Sequence, residues 1–337
     1  MGLGRFNILS LSGGGARGLY TARALVEIEE RFGRPIAESV DILCGTSIGG
    51  VLALGLASEV PAADILKVFD KNRLKIFPAP NKKESLTIPF TPFTIRDVQQ
   101  ARRAQFSAEP LKEVLTQLFG DLTIGDLKHC VLIPAINYTT GTLRAFKTPH
   151  HPDFYQDSNK SLVDVAMATS AAPTYFPNHV INDARFVDGG LVVNNPVLMG
   201  VIEAQRAFSQ DMNNIHALCI GNMGKERAAN HEKPLNLGYK GWGFGRDIID
   251  LSMSVGEKLS FDMARLLLNG RISEMDTKPT DDQAHLMKLD NATDEAASIL
   301  KAQAEQMAGQ KVNDEKIKDF FAHTKTTSPS CPNTKEE

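Results

Sequence analysis

The chain has one tryptophan, four cysteines and only 7% aromatic residues in 337, and neither sign of charge dominates it. Each scarcity excludes something. With 40 acids against 37 bases the net charge is -3, so the broad basic field of a dedicated nucleic-acid binder is missing and no long nucleic acid is expected as a partner. Cys44, Cys130, Cys219 and Cys331 lie far apart, the first three in apolar runs, which reads as reduced core cysteines of a cytosolic protein. No paired Cys or His spacing suggests zinc, and His150-His151 falls in a polar stretch that reads as a loop. Neither a metal nor a cofactor is expected. The longest uncharged run, residues 42–58, is too short for a bilayer span and is broken by Gly45, Gly49, Gly50 and Gly55. The start, Met1-Gly2-Leu3-Gly4-Arg5, lacks an export pattern, and Phe6 stands where a myristoylation signal needs Ser or Thr. The expectation is a cytoplasmic protein.

What is present is an ordinary globular composition, 42% hydrophobic and 23% charged, enough to bury a large core. Residues 6–11 form a short apolar run that ends in Ser12 and three glycines, and residues 19–32 follow with helical spacing. Residues 40–44 and 48–57 repeat the sequence of strand, tight turn and helix. Two such units in succession imply a parallel sheet. Further strands are expected at 131–137, 143–146, 185–187 and 216–220, with helices at 111–119, 162–169, 196–208 and 247–268. The organisation expected is a core over 1–222 carrying a basic, irregular insertion at 71–103, a mainly helical part at 223–321 packed on it, and a disordered tail at 322–337.

Chemistry concentrates in three places. Gly45-Thr46-Ser47-Ile48-Gly49 is a Gly-x-Ser-x-Gly between a strand and a helix, the setting in which a sharp turn strains the serine backbone and exposes its hydroxyl. Gly45 and Gly49 would relieve collisions across that turn, and the helix N-terminus would favour negative charge beside Ser47. A plain glycine turn capped by serine is the alternative. Upstream, Gly13-Gly14-Gly15-Ala16-Arg17-Gly18 can turn free N–H groups toward an anion. Read as Gly-x-Gly-x-x-Gly it fits a dinucleotide-binding oxidoreductase, but the acid that holds the ribose is replaced at the second strand end by Cys44-Gly45-Thr46-Ser47. Read as an oxyanion hole, Gly13, Gly14 and Gly15 would stabilise the intermediate formed at Ser47. A serine also needs a base. Ser47, Asp188 and either His216 or His231 could formally make a triad, and Asp188 alone, at a strand end before Gly189 and Gly190, is the other candidate. Asp-Gly in isolation is simply a good turn.

Taken together, these elements resemble the patatin-like phospholipase family. The glycine loop with Arg17, the Gly45–Gly49 elbow and Asp188-Gly189-Gly190 occur in the family's order, and Ala166-Met167-Ala168-Thr169-Ser170-Ala171-Ala172-Pro173-Thr174-Tyr175-Phe176-Pro177, leading to Asn194-Asn195-Pro196, is similar to its third block. Ile48 departs from the alanine often found after the nucleophile. The resemblance covers roughly residues 5–222. It implies a patatin-like three-layer α/β/α fold with a mostly parallel central sheet, and a Ser47-Asp188 dyad that works on lipid acyl esters without histidine. Membrane phospholipids become the expected substrates, met at the inner membrane surface. Arg17 would reinforce the glycine loop or meet the lipid phosphate, and Asn195 with Pro196 would start a helix. The layout also resembles bacterial patatin-like effectors of anti-phage signalling, which implies activation by a cyclic dinucleotide held near 71–103 and Trp242, and a homo-oligomer. A solvated basic face is the plainer account of 71–103. Serine acyl hydrolase, nucleotide-dependent oxidoreductase and non-catalytic lipid-binding module are the three readings, in falling order.

Overall fold

The structure is a computed structural model, and it describes residues 4–79, 103–224, 236, 238, 241–242 and 246–329. Lys82, Lys83, Arg96 and Arg102 of the basic segment lie outside the described residues, as do most of the loop before Trp242, His231 and Cys331.

Among the described residues eight strands make one mixed sheet: β1 (Phe6–Leu11), β2 (Ile42–Gly45), β3 (Val131–Asn137), β4 (Thr142–Lys147), β5 (His179–Ile181), β6 (Ala184–Asp188), β7 (Ile215–Ile220) and β8 (Ile272–Met275). The run β3-β2-β1-β7-β8 is parallel, while β4, β6 and β5 join antiparallel at the β3 end. All six residues of β1 are buried. That is the signature of a strand covered on both faces, and alternate side chains divide between two layers. Leu9 and Leu11 belong to the core shared with helices Gly18–Phe32, Ile48–Ala57 and Asp294–Lys311. Phe6 and Ile8 belong to the core shared with Val197–Arg206 and Arg246–Leu268. Helices on both faces of the sheet give the three-layer architecture. The helix Ile48–Ala57 is buried at every position, as its unbroken Ala/Leu/Gly composition requires.

Three expectations need correction. The basic segment is not irregular from its start, because the helix Ala62–Ile76 runs through Lys71, Arg73 and Lys75; bases in a last helical turn suit the helix dipole. Residue 222 does not close the sheet, since β8 lies beyond it and pairs in parallel with β7. Residues 323–327, which fall in the expected disordered tail, are held in place: the N–H of Lys325 donates to the carbonyl of Glu38, and that of Thr326 to Asp41. Asp41 is fully buried and also meets His323 at 2.8 Å, so a buried carboxylate tethers polar residues whose composition alone suggested disorder.

The registers along β3 fix the site. β4 pairs with β3 from Leu132 to Asn137 and fills one edge. β2 meets β3 at Val131 and Leu132, and β6 meets it at Ala135 to Asn137, so both lie along the other edge. One runs parallel to β3 and the other antiparallel, and their C-terminal ends therefore face each other. Cys44 sits opposite Leu132 and Asp188 opposite Ala135, a gap of roughly 10 Å at the usual rise per residue.

Candidate active site

Ser47 occupies that gap. Its backbone has φ 54° and ψ -128°, a region costly for any residue with a side chain. The cost is accepted because the chain must turn from β2 into the helix Ile48–Ala57 without a loop. A Cβ on Gly45 would lie 2.1 Å from the carbonyl oxygen of Gly49, and one on Gly49 would lie 2.2 Å from that of Leu11. Only glycine fits at either place. Ser47 donates its N–H to the hydroxyl of Thr169 at 3.0 Å, and that hydroxyl donates to the carbonyl of Pro134 at 2.6 Å. Thr46 holds the other side of the turn by donating its hydroxyl to the carbonyl of Val193. The isoleucine after the serine is accommodated by the glycine loop, because its side chain fills the space where a Cβ on Gly18 would stand.

Asp188 ends β6 and is 2% exposed. Its Oδ1 accepts the N–H of Gly190 at 2.7 Å, and Gly189 packs its Cα against the carbonyl of Pro134. Burial pushes the carboxyl up to about 6, against the opposing pull of the Gly190 N–H and the Ser47 hydroxyl. Oδ2 is buried and accepts no hydrogen bond from the described residues. The Ser47 contact is therefore looser than an aligned hydrogen bond, as is common before substrate tightens a site.

Of the three loop glycines, Gly13 is not a free donor. Its N–H goes to the carbonyl of Asn194 at 3.1 Å, which corrects its expected place in an oxyanion hole. Its own carbonyl accepts the side-chain amides of Asn222 at 2.6 Å and Asn194 at 3.2 Å. In a trans peptide the next N–H points away from that carbonyl, so the asparagines aim the N–H of Gly14 away from themselves. Ala16 donates to the carbonyl of Leu289 and Arg17 to that of Gly14. The N–H groups of Gly14 and Gly15 have no acceptor among the described residues. Arg17 lies near Glu257, Asp250 and Asp276 and reaches the carbonyl of Gly14, so it braces the loop.

Ser47, Asp188 and Gly15 open on one cleft, about 730 Å³ of empty space with its solvent-filled mouth included, walled by Val51, Phe69, Ile76, Phe77, Leu111 and Phe176 among others. No histidine lines it among the described residues. His216 pairs in register with Asn7, at the opposite end of β7 from the level of Leu11, and burial with the nearby Arg5 pushes it down to about 4. The triad with His216 is thereby removed. His150 is not in an open polar loop: its ring is buried, bonds Glu203 and Thr148, and stacks on Phe208. Arg73, one of the bases offered for a nucleotide phosphate, is neutralised by Asp70 and Asp294 and donates to the carbonyl of Ala292.

A sequence model described as patatin-like phospholipase matches residues 9–201. The chain belongs to that family. A cGAMP-activated phospholipase of Pseudomonas aeruginosa is 40% identical over 324 residues, which cover 96% of this chain and 93% of that protein. One of the same description from Vibrio cholerae is 36% identical over 342, covering 93% and 94%. A cUMP-AMP-activated phospholipase of Escherichia coli is 25% identical over 225, covering 64% and 63%. Membership in a family of ester hydrolases displaces both the oxidoreductase and the non-catalytic readings. The patatin-like fold also accounts for residues that the motifs did not single out. Asn222 carries no pattern of its own, Thr169 stands in the third block with no role attached to it, and Asn194, read only as part of a helix start, grips the glycine loop while the side chain of Asn195 accepts the N–H of Val197.

Proposed function

We propose that the chain is a phospholipase that hydrolyses acyl esters of membrane phospholipids, with Ser47 as nucleophile and Asp188 as its base. The observation that carries this reading is the meeting of the two at one apolar cleft, with no histidine lining it among the described residues. The Ser47 oxygen attacks the ester carbonyl while its proton passes to Asp188. A carboxylate near 6 is a better proton acceptor than an ordinary aspartate and still mostly ionised at neutral pH. The N–H groups of Gly14 and Gly15 receive the oxyanion, where one such donor is worth about 3 to 4 kcal/mol of barrier. Asp188 then protonates the leaving lysophospholipid alcohol, and water activated by the same carboxylate releases the fatty acid. The apolar wall suits an acyl chain and excludes water from the ion pairing.

The chain acts peripherally, from the cytoplasmic side of the membrane; among the described residues no helix is long and apolar enough to cross one. A cyclic dinucleotide activates it, as the names of the Pseudomonas and Vibrio relatives say of those proteins, which makes it an effector of a nucleotide-signalled antiviral response. The test is fatty-acid release from phosphatidylethanolamine and phosphatidylglycerol vesicles with and without cGAMP. Release that depends on cGAMP and vanishes in Ser47→Ala is expected. Undiminished release by Ser47→Ala would overturn the nucleophile, and release indifferent to every cyclic dinucleotide would overturn the activation.

A further inference from the structure

Residues 169–171 bridge the two reacting groups. The hydroxyl of Thr169 accepts the N–H of Ser47 at 3.0 Å, and the carbonyl of Ala171 accepts the N–H of Asp188 at 3.0 Å. Ser170 stands between them in the chain. It is 8% exposed and lines the same cleft as Ser47 and Asp188, yet its hydroxyl has no hydrogen-bond partner among the described residues. A buried hydroxyl left without a partner keeps the full penalty of its lost hydration. Sequences rarely keep such a group unless something that visits the site satisfies it.

Oδ2 of Asp188 is a second buried acceptor in the same position. The two are not bonded to each other, since neither oxygen has a hydrogen-bond partner among the described residues. Both residues belong to the lining of one largely apolar cleft, and a pair of unpartnered acceptors is what orients the two O–H bonds of a water molecule.

We infer that Ser170 holds the water that hydrolyses the acyl-enzyme. The inference rests on Ser47 as nucleophile and Asp188 as base. The water oxygen forms a bond to the acyl carbonyl carbon as one of its protons passes to Oδ2 of Asp188 and the other is held by the oxygen of Ser170. The tetrahedral intermediate then expels the Ser47 oxygen, which takes the proton back from Asp188, and the fatty acid departs. Acylation uses no water, so Ser170 serves the second half-reaction alone and its loss separates the two halves.

The experiment follows p-nitrophenyl octanoate with saturating cGAMP in wild type, Ser170→Ala and Ser47→Ala. First-turnover release of p-nitrophenol reports acylation, and intact mass after rapid removal of excess ester reports decay of the octanoyl adduct. Ser170→Ala is expected to acylate at the wild-type rate and to lose its adduct about tenfold more slowly. An adduct that decays at the wild-type rate, or first-turnover release slowed as much as decay, overturns the role of Ser170. Release and adduct formation that persist in Ser47→Ala would instead refute the nucleophile, so the two failures are told apart.

Discussion

The backbone N–H of Ser47 donates to the side chain of Thr169 at 3.0 Å, and Thr169 passes the restraint on to the carbonyl of Pro134 in β3. One hydroxyl thus ties the strained turn to the strand along which β2 and β6 converge. Thr169→Val keeps the shape and removes both bonds. The expected result is a loss of about 1 to 3 kcal/mol in stability, together with a fall in kcat larger than any change in KM, measured by thermal melting and steady-state ester hydrolysis.

Asp188 sets function against stability. A buried carboxyl raised from 3.8 to about 6 binds its proton more tightly folded than unfolded. The protein gains stability as pH falls through that window and loses it as pH rises through 6, a difference of about 3 kcal/mol at neutral pH. Asp188→Asn removes the charge and retains an acceptor for Gly190. It is expected to be inactive and to melt higher than wild type at pH 7.5, with the advantage shrinking toward pH 5. A variant that melts lower at pH 7.5 would contradict the burial cost.

Asn222 grips the carbonyl of Gly13 at 2.6 Å without lining the cleft. Asn222→Ala frees that peptide to rotate and blurs the aim of the Gly14 N–H. A drop of about tenfold in kcat with KM nearly unchanged is expected, since an oxyanion donor acts in the transition state and little in substrate binding. An equal rise in KM would assign Asn222 to binding.

The fold was largely legible. Strand, glycine turn and helix recur twice in the first 57 residues, and apolar runs buried on both faces announce themselves by composition alone. What stayed hidden is long-range. β8 is short, and only its pairing with β7 makes it a strand. The buried carboxylate of Asp41, which orders residues past 322, lies some 285 positions from its partners. In the site, Ser47 and Asp188 carry motifs because the backbone around them needs glycine. Thr169, Asn194 and Asn222 act through one or two side-chain hydrogen bonds each that any exposed threonine or asparagine could also make, so nothing local assigns them a role in the site. Gly13 looked like its neighbours until the carbonyl of Asn194 claimed its N–H.

His216 is distant from the chemistry, at the level of Asn7 on the sheet. His216→Gln is expected to leave vesicle hydrolysis within twofold of wild type. A loss beyond about a hundredfold, the scale of removing a general base, would restore a histidine to the mechanism.

The most direct measurement is the rate at which a fluorophosphonate labels Ser47 as a function of pH, in wild type and in Asp188→Asn, with the adduct located by peptide mass. The wild-type rate is expected to rise with the ionisation of one group near 6, and Asp188→Asn to label slowly and without that step. A titration of the same midpoint and amplitude in both proteins would show that another group takes the proton from Ser47.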